Sequence, residues 1–145
     1  MDPGKCILVF AAILAIGIGT SQIAAQSPVG KQAQIARGKY LVDGVARCGE
    51  CHSPMNDKGE PILGKEYRGA TLIFKPIAPM PVWADKAPNI AGLRGWEDED
   101  AVKFLMTGIA YNDLPARPPM PQYRMSKEDA QAVVAYLRSL SPVAK

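Results

Sequence analysis

Cys48-Gly49-Glu50-Cys51-His52 is the stretch on which the reading of this 145-residue chain turns. Two thiols in a C-x-x-C spacing with an imidazole directly after them read as a c-type haem attachment site. Each thiol can add to one vinyl group of the porphyrin, and the adjacent His52 then stands beneath the iron as an axial ligand. By themselves the five residues leave two other readings open, half of a zinc site and a redox disulfide.

The rest of the chain weighs against both. The third cysteine, Cys6, lies in an apolar N-terminal run, so the domain beyond it offers two thiols and a single His. A structural zinc site needs four ligands. A thioredoxin-like redox module needs a βαβ pattern around its CxxC, and the chain carries none.

The N-terminus has the form of an export signal. Lys5 is the positive element, Cys6 to Ile18 is an uninterrupted apolar run, and Ile23-Ala24-Ala25 precedes a cleavage point. Residues 1–25 are therefore expected to be a signal peptide and residues 26–145 a single domain. The alternative is an uncleaved anchor, because Cys6 to Ala25 spans 20 residues whose only strongly polar members are Thr20, Ser21 and Gln22. Either way the domain is exported, to the periplasm or another extracytoplasmic space, and meets a membrane only through that segment.

Hydrophobic residues at 48% and charged residues at 21% are the proportions of an ordinary folded domain and exclude a disordered chain. Thirteen Gly and thirteen Pro predict long irregular connections. A net charge of +3, without a basic run, excludes a nucleic-acid partner.

Helical periodicity predicts a first helix over Lys31–Val45, with Ala33, Ala36, Tyr40 and Leu41 inward. Gly38 within it suggests close approach by another backbone. Residues 53–87 carry five prolines and no helical period, and form a long loop insertion anchored by Tyr67, Phe74 and Trp83, with a brief strand at Thr71–Ile73. A second helix over Glu97–Thr107 has acidic residues at the positive end of its dipole and Gly108 as its stop. Ser126-Lys127-Glu128-Asp129 resembles a capping box and opens the last helix, which presents Ala130, Val133, Val134 and Leu137 inward and closes at Ser141-Pro142. The expected fold is all-α, with three main helices around one haem.

With one His in the chain, a second axial ligand has to be something else, and a soft thioether is the next choice. Met1 leaves with the signal, Met55 lies too close to His52 to reach the opposite face, and Met106 is helical core filler. Met80, Met120 and Met125 lie in irregular segments. Met120 is preferred because the helix after it can fold back beside the first helix and place the preceding loop opposite the CxxCH turn.

Together these features resemble the small class I c-type cytochromes over about Ala36 to Leu140. The resemblance rests on Gly38 and Tyr40 before the haem motif, on Cys48–His52 itself, and on Pro88-Asn89-Ile90-Ala91-Gly92-Leu93. Trp96 before the second helix and Met120 before a helix bearing Ala135-Tyr136-Leu137 complete it. Tyr40 follows Gly38 by two residues where the family has four. The resemblance implies that the Pro88 carbonyl accepts from the proximal His52, that Trp96 approaches a haem propionate, and that Gly38 and Tyr40 pack on Val133, Tyr136 and Leu137. With its long 53–87 segment, Arg37-Gly38-Lys39-Tyr40-Leu41-Val42 and Pro118-Pro119-Met120-Pro121, the chain looks like bacterial periplasmic haem modules that serve dehydrogenases.

The expected function is electron transfer by one covalent haem c, attached at Cys48 and Cys51 and ligated by His52 and Met120. The chain would accept electrons from a dehydrogenase and pass them to another cytochrome or an oxidase in the periplasmic respiratory chain. It is read as a carrier, or the cytochrome subunit of an oxidoreductase complex, and not as an enzyme in itself. The alternative is a haem protein with an open or labile sixth site that binds small ligands.

Overall fold

The computed structural model describes residues 28–140. The expected signal peptide and the expected Ser141-Pro142 helix stop lie outside the described residues. Helix α1 runs Pro28–Tyr40 and continues as a π turn over Leu41–Val45. One helical turn, α2 at Gly49–His52, carries the CxxCH motif. A two-residue antiparallel ladder then pairs β1 (Ala70–Thr71) with β2 (Lys86–Ala87), in the register Ala70↔Ala87 and Thr71↔Lys86. A 3₁₀ turn at Ala91–Leu93, α3 at Asp98–Thr107 and α4 at Lys127–Ser139 complete the order. Helices carry the frame, and the only paired strands among the described residues staple the two ends of the insertion together.

The frame is the crossing of α1 and α4, closed on one side by α3. Its core consists of Leu41 and Val42 from the π turn, Ala101 and Leu105 from α3, and Ala130, Ala132, Val133, Val134, Tyr136 and Leu137 from α4. At the crossing the Gly38 backbone lies directly on α4. A Cβ added to Gly38 would stand 1.9 Å from the Ala132 carbonyl oxygen and 2.8 Å from Tyr136 Cβ. Only a residue without a side chain permits that contact, which outweighs the roughly 1 kcal/mol that Gly costs inside a helix.

The inward face of α1 differs from the one its apolar residues suggest. Ala33, Ala36 and Tyr40 are exposed, whereas Gly38, Leu41 and Val42 are buried. The face is centred on a residue with no side chain, so a count of apolar side chains places it wrongly. The π turn then puts Val42, four residues after Gly38, into the position that the resemblance gives to Tyr40. Val42 is fully buried and Tyr40 is 59% exposed.

The other helices follow their local signals. Ser126 has extended backbone, and its hydroxyl accepts the Asp129 N–H at 3.2 Å, as an N-cap should. The reciprocal half of a capping box is missing because the Asp129 carboxylate instead takes Arg37 of α1 at 2.9 and 3.2 Å. Helix α3 starts with Asp98, Glu99 and Asp100 in its first turn and stops at Gly108, whose N–H bonds the Phe104 carbonyl at 2.7 Å.

Within the insertion the three expected anchors behave differently. Tyr67 is buried in the core and meets Tyr136 edge-on at 6.3 Å. Phe74 and Trp83 meet each other edge-on at 6.0 Å and stay outside the core, with Phe74 43% exposed. The expected strand at Thr71–Ile73 forms slightly earlier, at Ala70–Thr71.

Candidate haem site

The motif turn is built from both sides. The chain leaves the π turn with the Cys48 N–H bonded to the Val42 carbonyl at 3.0 Å, and α2 closes with the His52 N–H on the Cys48 carbonyl at 2.9 Å. These two backbone bonds hold both thiols and the imidazole on a single turn. Both cysteines are free thiols. Burial pushes the Cys48 thiol up to about 11, and it raises Cys51 as well. Among the described residues no three or more His, Cys, Asp or Glu side chains gather where they could hold a metal ion between them.

His52 is buried, 6% exposed. Its Nδ1 lies 2.7 Å from the Pro88 carbonyl oxygen. A carbonyl can only accept, so this contact makes Nδ1 the protonated nitrogen and leaves Nε2 with a free lone pair for a metal. Burial lowers the imidazole's affinity for a proton, and the Pro88 bond partly offsets that.

Nε2 belongs to a side chain lining a cavity of about 630 Å³. Cys48, Cys51 and His52 line it together with Trp96 and Phe104, and the loop between α3 and α4 supplies Tyr111, Met120 and Tyr123. The volume falls within the roughly 300–1,000 Å³ of cofactor-sized pockets. Of the five methionines among the described residues, only Met120 lines this cavity. Met55 lies in a neighbouring cleft, Met80 is 42% exposed on the insertion, and Met106 and Met125 pack against the core. Trp96 stands just before α3, tilted on Phe104 at 5.4 Å and edge-on to Tyr111 at 5.0 Å. The donor set, two thiols, one buried imidazole and one thioether around a cavity with aromatic walls, fits a covalently attached haem.

Three further residues support the site, and of these the sequence marks only Tyr67, as an anchor of the insertion. Tyr123 lines the cavity and its hydroxyl donates to the Ala46 carbonyl at 3.0 Å, tying the Met120 loop to the segment before Cys48. Its own pKa is pushed up to about 12 by burial, with the two thiols adding to the rise. Arg138 near the end of α4 donates to the Gly92 and Leu93 carbonyls at 2.8 and 2.9 Å, to the Trp96 carbonyl, and to Asp98 at 2.7 Å. It thus fixes the turn that carries Trp96. Tyr67 is the third, and its contacts reach the motif itself. A buried hydroxyl needs a partner, so a lone Tyr between Met120 and Ser126 was the one clue to Tyr123.

Residues 35–141 match the family model for cytochrome c. The chain belongs to the cytochrome c family. Its helical order is that of the class I cytochrome c fold, its cofactor is covalently bound haem c, and its role is to carry electrons. Among curated proteins it is 34% identical over 114 residues to the fructose dehydrogenase cytochrome subunit of Gluconobacter japonicus, covering 72% of this chain and 21% of that one. It is 30% identical over 122 residues to the cytochrome c subunit of the quinone alcohol dehydrogenase of Gluconobacter oxydans, covering 76% and 24%. The match to the gluconate 2-dehydrogenase cytochrome c subunit of Pantoea cypripedii is 26% over 133 residues, covering 86% and 30%. The chain therefore spans less than a third of the length of these relatives.

Proposed function

We propose that this cytochrome carries its haem on Cys48 and Cys51 with His52 and Met120 as axial ligands. It would work outside the cytoplasm as the electron acceptor of a dehydrogenase, passing electrons on to another cytochrome or an oxidase. The observation that carries the reading is the convergence of both thiols, the His52 imidazole and the Met120 thioether on one cavity. Haem bound there supplies a one-electron iron couple. The chain's part is to hold the imidazole in one tautomer through Pro88, to offer a soft sulfur from Met120, and to surround both with apolar walls. With His52 and Met120 both holding the iron, no position would be left for a small exogenous molecule, which suits electron transfer over ligand binding.

The partner class rests on the relatives, which are named as dehydrogenase cytochrome subunits. No helix among the described residues is long and apolar enough to cross a membrane. Redox partners dock through small interfaces and leave quickly.

Haem staining after denaturing electrophoresis tests the attachment. The wild-type band stains, and Cys48→Ala/Cys51→Ala does not. A double variant that still stains would overturn the attachment residues. Cyanide binding at once to the ferric wild type, without a Met–iron charge-transfer band, would replace the carrier by the open-site reading.

A further inference from the structure

The insertion is bonded to the residues around the haem motif through Tyr67 and Gly69. Tyr67 sits in the left-handed region at φ +62°, a conformation that a bulky residue adopts only when its surroundings hold it there. They hold it on every side. Its N–H donates to Ser53 Oγ at 3.0 Å, directly after His52. Its carbonyl accepts the N–H groups of Ile90 and Ala91 at 2.9 and 3.2 Å, just after Pro88. Its hydroxyl donates to the Asp43 carboxylate in the π turn, and its ring lies edge-on to Tyr136 of α4.

Two residues later the Gly69 N–H donates to the His52 carbonyl at 2.7 Å. Gly69 has φ +87°, and a Cβ there would stand 2.9 Å from the Ala87 oxygen and the Asn89 nitrogen and 3.0 Å from the Pro88 carbonyl carbon. Ala70 then pairs with Ala87 in the ladder. One short piece of the insertion is thus bonded to the backbone of His52 on one side and to the segment bearing Pro88 on the other. The two cannot move apart without breaking bonds to it.

We propose that Tyr67–Gly69 is a strut that sets the His52 Nδ1–Pro88 hydrogen bond, with Tyr67 and Gly69 as positioning residues for the axial imidazole. The inference rests on His52 being the haem ligand. A stronger Nδ1–H···O bond makes the imidazole more basic and a better donor to the metal. A better donor favours the ferric state. The insertion therefore helps to hold the reduction potential down, and the Tyr67–Asp43 bond anchors that setting to the helical frame.

The test uses the haem-loaded protein with Gly69→Ala, Tyr67→Phe and, as a control remote from the strut, Ser126→Ala. Equilibrium redox titration gives the potential, NMR of the hyperfine-shifted histidine ring signals gives the imidazole's state, and thermal melts give stability. Gly69→Ala, which crowds Pro88, should raise the potential most, and Tyr67→Phe should raise it less, each with displaced histidine signals. Ser126→Ala should lose stability at an unchanged potential. If Gly69→Ala does not fold, Tyr67→Phe decides alone, since it keeps the ring and removes only the hydroxyl. Wild-type potentials and histidine signals in both strut variants, or in Tyr67→Phe when it stands alone, would overturn the strut while leaving His52 ligation intact. A wild-type spectrum without histidine-ligated low-spin haem would overturn the ligation reading and the strut with it.

Discussion

His52 and Met120 line one cavity, yet the chain holds them in opposite ways. His52 is buried on a helical turn, with its N–H bonded to Cys48 of that turn, its ring to Pro88 and its carbonyl to Gly69. Met120 is half-buried in a loop whose residues 111–115 are all exposed. That loop is held by separated bonds: Ala110 to Leu114, Ala116 to Gly108, Met120 to Arg117, and the Ala84 N–H to the Pro118 carbonyl at 2.8 Å. Segments with few buried contacts and exposed backbone open at lower free energy than cores. The His52 side of the cavity is thus tied into the helical frame, and the Met120 side is fitted to it. Substitutions on the two sides should differ in kind as well as in size.

The largest effect should come from the proximal ligand. His52→Ala should abolish the low-spin haem spectrum and leave Pro88 with an unpaired carbonyl, read by absorption spectroscopy of the purified protein. A normal low-spin spectrum in this variant would erase the contrast between the sides. Next comes the frame that both sides share. Gly38→Ala would gain about 1 kcal/mol by helix propensity, but a Cβ 1.9 Å from the Ala132 oxygen has to push the crossing open. Overpacking costs about 1–3 kcal/mol and occasionally more, and a clash this close with backbone belongs at the upper end, so urea unfolding should show a net loss. A gain would mean that α1 and α4 do not cross this closely. The smallest effect belongs to the junction between the distal loop and α4. Ser126→Ala should cost about 1 kcal/mol in the same unfolding experiment, the usual value of an N-cap, with the haem spectrum unchanged.

The same contrast explains what could be read from the sequence. The CxxCH turn was legible because attachment chemistry dictates its spacing, and Ser126 and Gly108 because helix ends have local rules. The last helix showed its face because Ala130, Val133, Val134 and Leu137 repeat at helical spacing and are all buried. The face of α1 was hidden because Gly38 makes its contact by lacking a side chain. Tyr67 was expected to be an anchor, but its left-handed backbone and its bonds to Ser53, Ile90 and Ala91 depend on segments far apart in the chain. Arg138 lies in the last turn of α4, where a cation is ordinary. Its partners are mostly backbone carbonyls, which every residue has and no sequence pattern marks.

Met80 and Met120 both lie in Pro-rich loops; the helix that follows Met120 favours it in the sequence, and the cavity, which Met120 lines and Met80 does not, favours it in the structure. The decisive measurement is the absorption spectrum and cyanide affinity of ferric, haem-loaded Met120→Ala beside Met80→Ala. Met120→Ala should keep its covalent haem, lose the Met–iron charge-transfer band, bind cyanide readily and show a lowered reduction potential, while Met80→Ala behaves as wild type. Loss of the band in Met80→Ala, with Met120→Ala unchanged, would contradict the assignment of Met120 as the distal ligand.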